Sequence, residues 1–194
     1  MIWAALAVLV VVPIAVAATS PLLQWRGPVY IVAGLAGVVA MVLVLLQPLL
    51  AGGYLPGIGA LLGRRIHRWV GVSLVGAVVV HVAGLWITSP PDVIDALTFT
   101  SATPFSAWGV IAMWAAFAAA ALSLLAPRLG IRAVRWRAAH VFLVALVVTG
   151  SVVHALLIQG TMGTVSKAVL CAAAIGAFGL VLRDVRSWRR VFRR

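Results

Sequence analysis

The chain has 194 residues, of which 64% are hydrophobic and only 9% are charged, and its mean hydropathy is +1.18. This composition excludes an ordinary soluble domain, in which about 25% of the residues are charged. The formal net charge of +12 is high enough for nucleic-acid binding, but the basic residues are clustered between apolar runs, a pattern typical of membrane topology signals.

Apolar runs recur along the chain, each close to the ~20 residues that a helix needs to cross a hydrocarbon core. Proline, glycine or arginine separates each run from the next. Barrel strands would show short alternating segments, so we predict an all-α membrane protein built as a bundle of six transmembrane helices. The predicted spans are residues 2–18, 29–50, 66–88, 105–126, 137–159 and 165–183.

The first run has a second interpretation, because residues 15–18 are small residues of the kind that a signal peptidase accepts. No basic segment precedes the run, so we predict that it is kept as a helix of the bundle. Cleavage would leave five spans and an external N-terminus, and the orientation of the remaining spans would not change.

The basic residues predict the orientation of the bundle. Thirteen of the 15 lie before the third span, before the fifth span or after the sixth, and the connections on the opposite side carry only Arg26 and Lys167. By the positive-inside rule, both termini are cytoplasmic. The thirteen residues are Arg64, Arg65, Arg68, Arg128, Arg132, Arg135, Arg137, Arg183, Arg186, Arg189, Arg190, Arg193 and Arg194.

Four histidines, the only ones in the chain, form two pairs with the same spacing inside apolar runs. His67 and His81 stand at positions i and i+14 of the third span, and His140 and His154 repeat this spacing on the fifth. At about 100° and 1.5 Å per residue, each pair lies within ~40° of one helix face and ~21 Å apart in height. Both spans run outward, so equal depth pairs His67 with His140 near the cytoplasm and His81 with His154 near the outer side.

Two imidazoles at each depth favour haem over zinc. Zinc prefers four protein ligands, whereas these spans contain no acidic residue and a single cysteine, Cys171. Haem brings four nitrogens of its own and needs only one or two axial ligands, and its apolar ring suits a helix bundle. Because the chain has no C-x-x-C-H motif, we predict two noncovalent b-type haems with bis-histidine ligation. Filled axial positions favour electron transfer over oxygen binding.

Glycines and arginines near the histidines are further candidates for cofactor binding. Gly71, Gly84 and Gly150 each lie within about one turn of a histidine, where a missing side chain would let a macrocycle approach the backbone. Glycine is also common at contacts between membrane helices, so helix packing is the alternative. Arg68 and Arg137 are the candidate partners of the haem propionates, in addition to their role in topology.

Other functions remain open at this point. A histidine in an apolar helix is often a packing residue or a hydrogen-bonding partner between helices. The distinct alternative function is a membrane transporter or scaffold whose histidines line a proton or metal path. Identical spacing on two spans that run in the same direction favours the two-haem interpretation, because a cofactor in a bundle core requires facing ligands.

The residues around the histidines resemble a known family. Residues 64–71 (RRIHRWVG) followed by His81, and residues 137–140 (RAAH) followed by His154, are similar to the ferric reductase-like transmembrane domain. That superfamily includes ferric reductases, the membrane part of NADPH oxidases and the haem-binding subunit of a periplasmic methionine sulfoxide reductase. The resemblance implies haem ligands on the third and fifth helices of a six-helix core. It also implies electron flow from a cytoplasmic donor to an acceptor on the far side.

The resemblance extends over residues 1–183, and it does not supply a nucleotide-binding module. The glycines of residues 57–63 and 160–163 lack the spacing and the lysine of a phosphate loop. We therefore expect the haem-bearing membrane component of an oxidoreductase, with no flavin or NADPH domain of its own. A separate cytoplasmic flavoprotein or a membrane quinone would be the donor, and ferric iron or a partner reductase on the outer side would be the acceptor.

Two peripheral segments give weaker predictions. We predict that residues 184–194 are a basic cytoplasmic tail in which Val185, Trp188 and Phe192 fall on one face, as in a short helix lying on anionic lipid. Docking of the electron donor is the alternative role of this tail. Residues 88–104 contain Asp92 and Asp95, and we expect a solvated outer loop there. The Ala/Val/Arg-rich composition and the lack of a eukaryotic targeting signal favour a multi-pass protein of the bacterial inner membrane.

Overall fold

The computed structural model describes residues 1–184, and this part of the chain is helical apart from its connections. A 3-10 turn, Pro21–Leu23, lies between the first two helices. The seven α-helices of residues 1–184 are α1 (Ile2–Ala18), α2 (Pro28–Gly52), α3 (Ala60–Thr88), α4 (Pro90–Leu97), α5 (Pro104–Leu125), α6 (Ala133–Leu157) and α7 (Thr164–Arg183).

Proline and glycine mark several helix ends. Pro28, Pro90 and Pro104 are the first residues of α2, α4 and α5, a position where the missing N–H would have no helical partner in any case. Gly53 ends α2 in the left-handed conformation, with φ +70°, and its N–H bonds back to the last turn. The same residues that separate the apolar runs in the sequence therefore fix the ends of the helices.

Five of the described helices are long and apolar enough to cross a membrane: α2, α3, α5, α6 and α7. The chain is therefore a multi-pass membrane protein. Helix α1 is apolar but has only 17 residues, and it packs against α2 and α7 with Pro13 and Ala17 buried. The prediction of an all-helical membrane protein is confirmed, whereas the sixth crossing and the location of the termini stay predictions.

The four central helices form a ring. Helix α2 packs along α3 and α5 packs along α6, while α3 also contacts α5 and α2 also contacts α6. Helices α3 and α6 therefore stand diagonally across the ring, and α7 covers the side formed by α2 and α6. Leu74 of α3 and Val147 of α6 are buried in the same apolar core, halfway between the two histidines of each helix.

The boundaries differ from the predicted spans in two ways. Helices α3 and α6 begin six and four residues earlier than predicted. A transmembrane helix can start in the polar headgroup region, before its apolar stretch begins. The expected outer loop of residues 88–104 contains the helix α4, which begins with two prolines and carries Asp92 in its first turn, both favourable at a helix start. The predicted tail helix, including Val185, Trp188 and Phe192, lies outside the described residues.

Candidate functional site

The inner histidines of the two diagonal helices face each other. The ring centroids of His67 and His140 are 6.5 Å apart, and the ring planes make an angle of 69°. Two metal–nitrogen bonds of about 2.0 Å, with about 1.2 Å from each nitrogen to its ring centre, would place the centroids of two axial imidazoles about 6.4 Å apart. The centroid distance of the inner pair is therefore compatible with one metal bound between the two rings.

The outer histidines are each held by a main-chain carbonyl of the neighbouring helix. The Nδ1 atom of His81 lies 2.8 Å from the carbonyl oxygen of Ala33 on α2, and Nδ1 of His154 lies 2.8 Å from that of Phe105 on α5. A carbonyl oxygen only accepts, so Nδ1 donates the proton in both rings and Nε2 keeps a free lone pair. Metal-binding histidines almost always donate their second nitrogen in this way.

The inner histidines are held through the same nitrogen with different partners. Nδ1 of His67 donates to the carbonyl of Gln47 at 3.2 Å, and the Gln47 side-chain amide donates back to the His67 carbonyl at 3.3 Å. Nδ1 of His140 lies 3.4 Å from Oγ of Ser123, and the main-chain carbonyl of Ala119 is also close to the ring. In all four rings the described hydrogen bonds involve Nδ1, which leaves Nε2 for a ligand.

The residues that hold the four rings repeat between the two helix pairs. Ala33 and Gln47 stand at positions i and i+14 of α2, and Phe105 and Ala119 have the same spacing on α5. This interval equals the one between the two histidines of each ligand helix. The pair α2–α3 therefore supplies two imidazoles in the same manner as the pair α5–α6, and each half contributes one histidine to each depth.

Two glycines that the sequence analysis did not select make room for the outer rings. A Cβ atom at Gly37 would lie 2.9 Å from Nδ1 of His81, and one at Gly109 would lie 2.7 Å from Nδ1 of His154. Each glycine comes four residues after the carbonyl that holds its ring. The sequence offers one indication of their role. The number of residues from Gly37 to His81 is nearly the same as the number from Gly109 to His154, with a difference of one position.

The three predicted glycines lie at contacts between neighbouring helices. A Cβ atom at Gly84 would be 2.7 Å from Cβ of Ala33, and one at Gly150 would be 2.9 Å from the carbonyl oxygen of Trp108. A Cβ atom at Gly71 would be 3.3 Å from the side-chain amide of Gln47. These distances match the packing alternative, and a contact between these glycines and a macrocycle stays a prediction.

The predicted arginines lie near the inner pair, at the cytoplasmic ends of α3 and α6 in the predicted orientation. Arg68 directly follows His67 and its side chain is exposed, whereas Arg137 lies three residues before His140 and is half-buried. The indole of Trp136 stacks on the imidazole of His140, with centroids 5.4 Å apart and an angle of 16° between the planes. Trp136 is a contact of the site that the sequence analysis did not identify.

The set of donor atoms fits haem better than a bare metal ion. Among residues 1–184, no three His, Cys, Asp or Glu side chains lie close enough together to hold a metal ion. Two imidazoles at one depth can bind a metal firmly only if the remaining ligands come with it, as in haem. Apolar side chains of the core, such as Leu74 and Val147, surround the level between the two pairs.

Comparison with known proteins confirms the family that the motifs suggested. Searches of curated proteins and of solved structures return no match. The sequence profile of the family described as ferric reductase like transmembrane component matches residues 33–151, which is more than half of the chain. The matched range contains His67, His81 and His140, and it ends three residues before His154. The chain therefore belongs to the ferric reductase like transmembrane component family.

Proposed function

We propose that the protein is a di-haem b transmembrane electron-transfer protein. His67 and His140 would hold the haem at the cytoplasmic depth, and His81 and His154 would hold the haem at the outer depth. The observation that carries this proposal is that all four imidazoles are held through Nδ1 by a neighbouring helix, which leaves Nε2 unengaged at two depths. Membership of the family supports a role as a membrane electron-transfer component.

The protein residues define what kind of redox site this is. Haem would supply a one-electron iron couple at each depth. Two histidines at each depth would leave no coordination position for a substrate, which favours electron transfer over oxygen chemistry. Leu74 and Val147 occupy the level between the two depths; neither is redox-active, and both exclude water.

The donor and the acceptor follow from the predicted orientation. Arginines near the starts of α3 and α6 support a cytoplasmic position for the inner pair, where a flavoprotein or a membrane quinone would deliver electrons. The outer pair would pass them to a partner reductase or to ferric iron. We place the protein in a bacterial inner membrane, in contact with lipid. The arginines Arg68 and Arg137 are the proposed propionate partners of the inner haem.

Haem content tests the proposal directly. The protein, purified in detergent, should show the absorption of low-spin b-type haem, and extraction of the haem should give about two haems per chain. Dithionite should reduce both, and carbon monoxide should leave the spectrum of the reduced protein unchanged, because neither iron has a free position. Protein that is colourless and does not take up added haem would contradict the proposal and would favour the alternative of a transporter or scaffold.

A further inference from the structure

His140 differs from the other three histidines in how its ring is held. His67, His81 and His154 each direct Nδ1 at a main-chain carbonyl, at 3.2, 2.8 and 2.8 Å. Nδ1 of His140 lies 3.4 Å from the hydroxyl of Ser123. The four rings are therefore not equivalent, and the difference lies in the inner site.

The hydroxyl of Ser123 competes with His140 for the same acceptor. Oγ of Ser123 donates to the carbonyl of Ala119 at 2.8 Å and lies 3.4 Å from Nδ1 of His140, and the same carbonyl is close to the His140 ring. In the other helix pair, Ala51 occupies the equivalent position, four residues after Gln47, and it has no hydroxyl. The carbonyl that would polarise the imidazole is thus shared at His140 alone.

The face of the His140 ring is covered by an aromatic side chain. Trp136 precedes His140 by four residues, so both lie on the same side of α6. The stacked arrangement, with an angle of 16° between the planes, restricts rotation of the imidazole about its bond to Cβ. The His140 plane is thereby held at 69° to the plane of His67.

We propose that Ser123 and Trp136 are positioning residues for His140 that set the inner haem apart from the outer one. Ser123 weakens the hydrogen bond at Nδ1, so the imidazole donates less electron density and the ferric iron is stabilised less. Trp136 fixes the ligand planes close to perpendicular. This inference rests on the proposed function, because it concerns the ligand of a bound haem.

Replacement of Ser123 tests whether its hydroxyl weakens the hydrogen bond at Nδ1 of His140. In Ser123→Ala, Nδ1 of His140 gains sole use of the Ala119 carbonyl, and we expect a downward shift of the midpoint potential of the inner haem, with the outer haem unchanged. Ser123→Thr keeps the hydroxyl and should stay close to the wild-type potential. Ala51→Ser places a hydroxyl at the equivalent position beside His67 and should raise the inner potential. An unchanged inner potential in Ser123→Ala, or equal shifts of both haems, would overturn the role of Ser123.

Replacement of Trp136 tests whether its indole fixes the orientation of the His140 ring. Nearly perpendicular axial imidazoles give low-spin ferric haem a strongly anisotropic paramagnetic resonance signal, and smaller angles give a rhombic one. Trp136→Leu should convert the signal of the inner haem towards the rhombic form. The matched control is Trp69→Leu, because Trp69 lies two residues after His67 and is 66% exposed. An unchanged inner signal in Trp136→Leu, or the same change in Trp69→Leu, would overturn the role of Trp136.

The proposed function and the positioning role of Ser123 and Trp136 would be contradicted by different results. If neither the wild type nor the variants bind haem, the proposed function is wrong. If every variant retains about two haems per chain while the potentials and resonance signals of the inner site do not change, the proposed function stands and the special role of Ser123 and Trp136 is refuted. Spectroscopic counting of both haems in each preparation therefore precedes every titration.

Discussion

At the scale of single residues, the main support for a ligand role is that each imidazole forms its described hydrogen bonds through Nδ1, which leaves Nε2 for a ligand. A histidine that only joined two helices would need one hydrogen bond for packing, and its second nitrogen would be a polar atom without a partner in an apolar core. Four such rings would be costly. The described hydrogen bonds engage Nδ1 in every ring, and none of the buried side-chain nitrogen or oxygen atoms of residues 1–184 lacks a partner. The Nε2 atoms are thus the ring nitrogens that would bind the cofactor in the proposed function.

Loss of one histidine should remove one haem. We expect His81→Ala to lose the outer haem and to keep the inner one, and His67→Ala to do the reverse, because the proposed function gives each depth its own pair of ligands. Haem extraction and the paramagnetic resonance of the remaining haem would measure this. Retention of both haems in His81→Ala, or loss of both in a variant that remains folded, would contradict the assignment of ligands to depths.

The glycines beside the outer rings should be sensitive to a single added methyl group. Gly37→Ala and Gly109→Ala would place Cβ within 3 Å of the ring of His81 or His154, so the ring must move. Overpacking of this kind costs about 1–3 kcal/mol, which corresponds to roughly a 5- to 150-fold loss of affinity for the outer haem. Titration of the haem-free protein with haem would measure it.

Gly34→Ala is the matched control for this experiment, because Gly34 lies on the same helix as Gly37 and a Cβ atom there would meet nothing within 4 Å. It should bind the outer haem as the wild type does. Equal affinities of Gly37→Ala and Gly34→Ala would show that the space beside His81 is not needed for binding.

At the scale of helices, the site depends on two antiparallel pairs that repeat the same arrangement. In each pair, one helix carries the two histidines and the other holds them, and a glycine brings the two backbones together at Gly84 or at Gly150. Only Gly63, Leu74 and Gly84 of α3 are buried, and most of the contacts of this helix are with α2. Close approach within each pair places the carbonyls within reach of the rings.

Widening one pair should therefore lower stability. In Gly150→Ala, the added Cβ would lie 2.9 Å from the main-chain oxygen of Trp108, which cannot rotate away as a side chain would. We expect a loss of about 1–3 kcal/mol in the free energy of unfolding, measured by thermal or denaturant unfolding in detergent. Gly176→Ala on α7, where a Cβ would meet nothing within 4 Å, should be neutral or slightly stabilising, because alanine favours helix. Equal stability of the two variants would show that the α5–α6 contact tolerates a wider separation.

At the scale of the whole molecule, the sequence predicts the helices and the depths of the histidines but not the atoms that hold them. Apolar length and the bounding prolines and glycines are sufficient to predict the spans. Equal height on two helices that run in the same direction is sufficient to predict that His67 and His140 lie together. The carbonyl of Ala33 has no counterpart in the sequence, because every residue has a carbonyl and only the packing of α2 against α3 selects this one. Apolar length does not predict helix α4, because α4 has only eight residues.

The orientation of the bundle can be tested with single cysteines in a Cys171→Ser background. Ala102 and Leu129 are exposed residues in connections at opposite ends of α5. We expect an impermeant maleimide to label Ala102→Cys in intact cells and to label Leu129→Cys only after the membrane is opened, because the arginines on either side of Leu129 keep that connection in the cytoplasm. The reverse pattern would invert the direction of electron flow in the proposal.

An N-terminal epitope tag tests whether α1 is the sixth span. Because α1 packs against α2 and α7, we expect it to be retained, with the tag inside the cell. Loss of the tag from the mature protein would instead show that α1 is cleaved and that five helices cross the membrane.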